Sequence, residues 1–248
     1  MAKLKGKRAW ITGGGSGIGA GAARTLAASG AEVFVSGRRA GPLEDVVGAI
    51  KAAGGVAHAV VLDVSDAAAV AAAARSIGPV DILLANAGLN VPKRALGVLE
   101  ATDWDQVVDV NLNGVFYPVQ AVLPGMRNAG GGLVILVSSW AGRYAGRLTG
   151  AAYNATKRAV IALSESINGE EGGNGIRSTV IMPGEVATDI LKARPTPPSE
   201  MDMSRMLQID DLAETVRFVA ELPPHVCLNE ILISPTWNRF YQGFDELD

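Results

Sequence analysis

Gly13-Gly14-Gly15-Ser16-Gly17-Ile18-Gly19 separates two segments of opposite character. Before it, Arg8 to Thr12 reads as a short strand, Arg-Ala-Trp-Ile-Thr; after it, the Ala-rich stretch from about Ala20 to Ser29 reads as a helix. A glycine-rich turn between a strand and a helix lets backbone N–H groups approach a phosphate closely, and the helix N-terminus adds a favourable dipole. The spacing is Gly13-x3-Gly17-x-Gly19 and not G-x-G-x-x-G. A glycine turn that binds nothing satisfies the same residues, so the weight falls on their surroundings.

Outward from this loop, strand and helix alternate. Glu32 to Ser36 reads as a second strand ending at Gly37-Arg38-Arg39. At that point of a doubly wound sheet an acid accepts from the 2′-hydroxyl of NAD, whereas an arginine accommodates the 2′-phosphate of NADP. Here the acid is missing and Arg38 and Arg39 are present; two solvated loop arginines are the alternative. Gly41-Pro42 opens a helix to about Ala53, and Val56 to Leu62 forms a third strand closing on Asp63-Val64. Asp63 either accepts from an adenine amine or caps the helix that begins near Asp66. Ala67 to Ala74 reads as helix. Val80 to Ala85 is a fourth strand, ending in Asn86-Ala87-Gly88. This alternation predicts an α/β fold of the Rossmann type, a doubly wound parallel sheet of about seven strands with helices on both faces. Its ligand belongs at the carboxyl ends of the strands, where Thr12–Gly19, Arg38, Asp63 and Asn86–Gly88 all fall.

The second half carries the chemistry. Trp104 to Met126 reads as one long helix, its pattern interrupted near Pro118. Asn111 inside it is either a kink with a satisfied amide or a polar group aimed at the site. Leu133 to Val137 is a fifth strand, ending in Ser138-Ser139; Ile176 to Met182 is a sixth, ending in Pro183-Gly184; Ile231 to Ser234 is a seventh. After Gly150 a helix carries Tyr153-Asn154-Ala155-Thr156-Lys157. A tyrosine and a lysine four apart share one helix face. A neighbouring ammonium favours the phenolate, so the pair can supply a general acid/base near neutral pH. The same spacing also suits a plain amphipathic surface helix.

Composition narrows the classes. Nearly half of the 248 residues are apolar and the net charge is −3, so no nucleic-acid footprint is expected. One cysteine, Cys227, excludes an intrachain disulfide. No apolar run reaches the ~18 residues of a membrane span, and no signal core opens the chain, so a cytoplasmic location is expected. No metal cluster is spelled out; His58 and His225 read as ordinary strand and loop histidines.

Thr12-Gly13-x3-Gly17-x-Gly19, Asn86-Ala87-Gly88, Asn111, Ser139, Tyr153-x3-Lys157 and Pro183-Gly184, in this order, resemble the short-chain dehydrogenase/reductase family over nearly the whole chain. The resemblance implies a single NAD(P)-binding domain over 1–248 and an oxidoreductase that interconverts a secondary alcohol and a ketone by hydride transfer. It assigns the acid/base to Tyr153, and to Lys157 the lowering of the phenol's pKa and a hold on the nicotinamide ribose. Ser139 would hydrogen-bond the substrate oxygen, and Asn111 would anchor a water on the proton relay. Thr12, Gly13, Ser16, Gly17, Ile18 and Gly19 would form the pyrophosphate loop. Asp63 and Val64 would meet the adenine, with Asn86, Ala87 and Gly88 beside the cofactor. Pro183, Gly184, Val186 and Thr188 would complete the nicotinamide end. With Arg38 and Arg39, the expected cofactor is NADP, NAD being possible. A homodimer or homotetramer is expected, with the long helices Trp104–Met126 and Ala151–Ser166 pairing and small residues such as Gly114, Ala159 and Ala162 permitting close approach. Two other readings share the fold: a cofactor-binding regulator with little turnover, and an epimerase or dehydratase.

The chain departs from the family pattern in places. Ser139 lies one residue farther from Tyr153 than is usual, which puts the extra residue in the loop Arg143 to Thr149 and leaves Ser138 as an alternative. The usual C-terminal Asp-Gly-Gly is absent, so the tail 235–248 is atypical; it either swaps between subunits or folds over its own site. The Pro- and Met-rich segment 189–210, with Pro195, Pro197, Pro198, Met201, Met203 and Met206, reads as a lid. Trp140, Tyr144 and Leu148 are candidates for the opposite wall, and Arg143 and Arg147 either meet an anionic substrate or are solvated.

Overall fold

The computed structural model describes residues 2–193 and 197–241. The chain runs β1 (Arg8–Thr12), α1 (Gly17–Ala28), β2 (Glu32–Gly37), α2 (Ala40–Ala52), β3 (Val56–Val61), α3 (Ala67–Ile77) and β4 (Ile82–Ala85). It continues with α4 (Ala101–Val108), α5 (Gly114–Asn128), β5 (Gly132–Val137), α6 (Trp140–Arg143), α7 (Ala151–Glu171), β6 (Ile176–Pro183), α8 (Glu200–Arg205), α9 (Ile209–Ala220) and β7 (Glu230–Ile233). The strands form one seven-stranded sheet of order β3-β2-β1-β4-β5-β6-β7, every pair parallel. Winding outward in both directions from β1 and β4 creates the switch point at which such sheets bind ligands.

Most strands are apolar on both faces because both faces are covered. β1 sends Ile11 into one core and Trp10 into the other; β2 divides Val33 and Val35 from Phe34, and β5 divides Leu133 and Ile135 from Val134 and Leu136. The first core closes under Leu26 of α1, Val46 of α2 and Val216 of α9. The second closes under Val70 of α3, Val119 of α5 and Val160 of α7. Truncating any of these in so dense an interior costs about 2–5 kcal/mol for a leucine-sized side chain.

Two helices and one glycine differ from the sequence reading. The expected helix Trp104–Met126 is two helices, α4 and α5, joined by a π-helical turn at Asp109–Asn113, ahead of Pro118 rather than at it. The cause is tertiary. Asn111 Oδ1 accepts from Leu89 N at 2.8 Å and its Nδ2 donates to Leu89 O at 2.8 Å, which draws the helix open where that side chain turns inward. The helix bearing Tyr153 runs on to Glu171, beyond Ser166. Gly114 faces inward: a Cβ there would stand 2.6 Å from Val64 Cγ2, so its small size serves the protein's own packing.

Candidate active site

Two cavities, of about 300 and about 160 Å³, share Gly13, Ser16, Ala87 and Gly88 and so form one crevice along the carboxyl ends of the strands. Gly17, at φ 50, turns the chain into α1 in a conformation that L side chains rarely adopt. Gly19 is required by contact instead, since a Cβ there would lie 2.4 Å from Gly13 O. Ser16 is the N-cap of α1 yet makes no side-chain capping bond, and it lines both cavities, as does Gly13. Bare backbone, an uncapped helix N-terminus and an available hydroxyl fit a pyrophosphate. Thr12 and Gly19 lie behind this surface. The buried Thr12 Oγ1 accepts from Asn86 N (3.0 Å) and Ala87 N (3.1 Å), while Asn86 Nδ2 donates to Thr12 O at 3.1 Å. Thr12 therefore ties the ends of β1 and β4 together.

The smaller cavity is lined by Gly37, Arg38, Arg39, Asp63 and Val64. Both arginines are exposed. Asp63 Oδ1 accepts from Ser65 N at 3.0 Å and from Ser65 Oγ at 2.7 Å. The backbone bond above all, then the hydroxyl bond and the charge of Arg38, hold this carboxyl below the usual carboxylate range. The cap of α3 is Asp66, which accepts from Ala69 N at 2.9 Å, so Asp63 is left to the crevice. Ser36 does not line this cavity. Its buried hydroxyl donates to Ile11 O at 3.3 Å and accepts from Trp10 Nε1 at 3.0 Å.

At the other end, Tyr153 and Lys157 line the larger cavity from the first turns of α7. Lys157 Nζ lies 5.6 Å from the centroid of the Tyr153 ring and donates to Val137 O at 2.8 Å. The side chain is buried, and desolvation lowers its pKa from 10.5 to about 8. Ser139 caps α6, its Oγ accepting from Ala141 N at 3.1 Å, which leaves the hydroxyl proton to donate into the cavity. Ser138 is engaged elsewhere: its buried hydroxyl donates to Lys157 O at 2.6 Å. Asn111 does not line the crevice. With Oδ1 and Nδ2 both engaged by Leu89, its side chain is a brace for the loop after β4. It still borders the site, because the space a Gly88 side chain would fill is bounded by Asn111 Oδ1 at 3.3 Å and Lys157 Nζ at 3.4 Å.

Ile18, Pro183, Gly184, Val186 and Thr188 also line the larger cavity. The segment 189–210, expected to be a lid, contains a 3-10 turn at Asp189–Ala193 and α8, with Pro195 outside the described residues. Ile190 and Leu191 face the cavity; Met201, Met203 and Met206 do not. Of the expected opposite wall, Tyr144 and Leu148 are exposed and Trp140 packs behind the site, so Thr149 supplies that wall. Arg143 pairs with Glu230 at 3.7 Å, and neither it nor Arg147 lines the crevice. Sequence reasoning missed Asn90, Arg94, Glu185 and Phe240 in the lining. The loop after Gly88 carries no period to flag Asn90 and Arg94, and Phe240 arrives from the far end of the chain.

Residues 7–198 match the family described as short chain dehydrogenase. The chain belongs to the short-chain dehydrogenase/reductase family. It is 35% identical over 241 residues to the glycine betaine reductase of Emericella nidulans, a match that covers 94% of this chain and 19% of that longer protein. It is 33% identical over 227 residues to the NAD(+)-dependent 2-dehydro-3-deoxy-L-rhamnonate dehydrogenase of a Sphingomonas species, covering 88% of this chain and 89% of that one. The alcohol dehydrogenase of the archaeon Thermococcus sibiricus, complexed with 5-hydroxy-NADP, superposes with a TM-score of 0.84 at 30% identity, covering 94% and 98% of the two chains. The protein is thus an oxidoreductase of the short-chain dehydrogenase/reductase family, with the seven-stranded Rossmann-type sheet of that family. Among the described residues, no helix is long and apolar enough to cross a membrane.

Proposed function

We propose that the protein interconverts a secondary alcohol and a ketone, with Tyr153 as acid/base. The observation that carries this reading is the convergence of Tyr153, the buried Lys157 and Ser139 on one cavity continuous with the glycine-rich loop. When bound, the nicotinamide supplies the hydride acceptor in oxidation and the donor in reduction. Tyr153 takes the hydroxyl proton of the alcohol, or returns one to the ketone oxygen. Ser139 donates a hydrogen bond to that same oxygen. Lys157, held by Val137 O, places a cation beside the phenol and favours its ionised form. Asn111 acts as a positioning residue by holding Leu89. Absorbance of the reduced nicotinamide, followed against a panel of secondary alcohols and ketones, tests the reaction. Cofactor binding without turnover on any of them would favour a regulator or another reaction on this fold.

The cofactor we propose is NADP. Gly37 offers no carboxylate to a ribose hydroxyl, and Arg38 and Arg39 stand where a 2′-phosphate would arrive. A relative that works with NAD and a structural neighbour that carries an NADP derivative bracket the choice. Wild type is expected to favour NADP in kcat/KM by about tenfold to a thousandfold, or about 1.4–4 kcal/mol. A Cβ on Gly37 would meet only Leu43 Cδ2, at 3.7 Å, an ordinary contact, so a side chain can start from that backbone. Gly37→Asp with Arg38→Ile should reverse the preference. Steady-state kinetics with both cofactors decide it; a wild type that prefers NAD would overturn the assignment.

We also propose a homo-oligomer built on the α4–α5 and α7 faces. Trp104 and Phe116 are large apolar side chains left exposed there, at 38% and 40%, and Ala162 of α7 is small and exposed. Light scattering at micromolar concentration should return a multiple of the chain mass, most simply a two-fold dimer. Monomer mass would refute it.

A further inference from the structure

Beyond β7 residues 235–241 close over the site of their own chain, the rest of the tail, 242–248, lying outside the described residues. A Cβ on Gly184 would stand 3.2 Å from Pro235 Cδ, so the chain passes directly over the end of β6. It then makes a 3-10 turn at Arg239–Tyr241, with Asn238 Oδ1 accepting from Phe240 N at 3.0 Å and Tyr241 N donating to Asn238 O at 3.0 Å. Four contacts hold this turn to the segment after β6, to α8 and to α6. Arg239 Nε and Nη2 donate to Glu185 Oε2 and Oε1 at 2.7 and 2.8 Å, a two-pronged bond to the segment just after β6. Arg239 Nη1 also lies 3.4 Å from Asp202 on α8. The Phe240 ring stacks nearly parallel on Trp140, the residue after Ser139, at 6.2 Å and 5°. Tyr241 meets the same indole edge-on at 5.5 Å.

Phe240 lines the cavity that holds Tyr153 and Ser139. We infer that Arg239 pins the tail as a strap, and that Phe240, so held, limits the size of the substrate. The inference rests on the redox reading of the same cavity. The Glu185 side chain is 3% exposed. Removing Arg239 takes a two-pronged, charge-assisted bond from this buried carboxylate and so loosens the strap. A paired fork is also directional, which a lone ammonium would not be. Phe240 has no polar atom to offer a substrate, so its contribution is bulk and exclusion of water.

The test uses the full chain and a ketone series, butanone upward in chain length and on to aryl methyl ketones, with NADPH as reductant. Phe240→Ala should raise kcat/KM for the bulkiest ketones relative to butanone by about tenfold or more, the scale on which a pocket reads one or two carbons. NADPH affinity should not change. Arg239→Met should shift the profile the same way, acting more on KM than on kcat, and Arg239→Lys should restore part of it. Chymotrypsin after Phe240 and Tyr241 gives a readout that needs no substrate. In Arg239→Met, cutting there should be about tenfold faster than in wild type, as the open population grows. A Phe240→Ala profile parallel to wild type would overturn the size limit, and equal cutting rates would overturn the strap. If wild type reduces no ketone, the redox reading fails, and equal or faster cutting alone then decides the strap.

Discussion

Tyr153→Phe is expected to lower kcat by about 10²- to 10⁴-fold, the usual contribution of a positioned general acid/base. The substitution removes one oxygen and keeps the ring, so packing of the first turns of α7 and the 5.6 Å approach of Lys157 to that ring should persist. The surfaces proposed for the phosphates and the adenosine lie on other elements: Gly13 to Ile18 at the end of β1 and the start of α1, and Arg38 and Asp63 after β2 and β3. NADPH affinity, read by fluorescence titration, should therefore stay close to wild type while turnover collapses. Turnover within about threefold of wild type would remove Tyr153 from the acid/base role. A parallel fall in cofactor affinity would mean that the phenol mainly supports binding.

The features legible in the sequence are those whose cause is local. A strand, a glycine turn and an Ala-rich helix within Arg8 to Ala28 announce the crevice because backbone conformation and near neighbours decide them. The double burial of the sheet is equally readable, since runs such as Leu133 to Val137 leave no polar face for solvent. Tyr153 and Lys157 share a face by helix period alone. Asp63 reads equally as an adenine contact or as the cap of α3, and only the bond from Ala69 N to Asp66 frees it from the second role.

What the sequence hid depends on residues far apart in the chain. The opening of the helix at Asp109–Asn113 needs the Leu89 backbone, twenty-two positions from Asn111 in the chain. The burial of the Ser36 hydroxyl depends on Trp10 of the neighbouring strand, whose indole donates to it. Ser138 and Ser139 are equivalent by type, and they part only because Lys157 O takes the first. The tail gives no sign that Arg239 will find Glu185, since a two-pronged ion pair has no sequence period.

Lys157→Met should separate function from stability. Turnover is expected to fall on the order of 10²-fold or more, because the phenol loses its cation. NADP affinity should fall too if the ammonium also holds the ribose, and oxidation should need a higher pH. The unliganded protein should respond in the opposite sense. Burial lowers the pKa of Lys157 from 10.5 to about 8, so the folded state resists protonation that the unfolded chain accepts. Below about pH 8 the folded protein therefore carries the full cost of a buried ammonium; the cost shrinks as pH rises from 8 towards 10.5 and is gone above it. At about 1.4 kcal/mol per pKa unit, that cost is on the order of 3 kcal/mol. Loss of the bond to Val137 O offsets about 1 kcal/mol of the gain from removing it. Methionine is apolar, flexible and of similar length, so it can fill the same space. Urea unfolding of the unliganded proteins should show Lys157→Met as the more stable at neutral pH, with the gap closing as pH approaches 10.5. A gap that is constant or widens with pH would mean that Lys157 is not held against its charge.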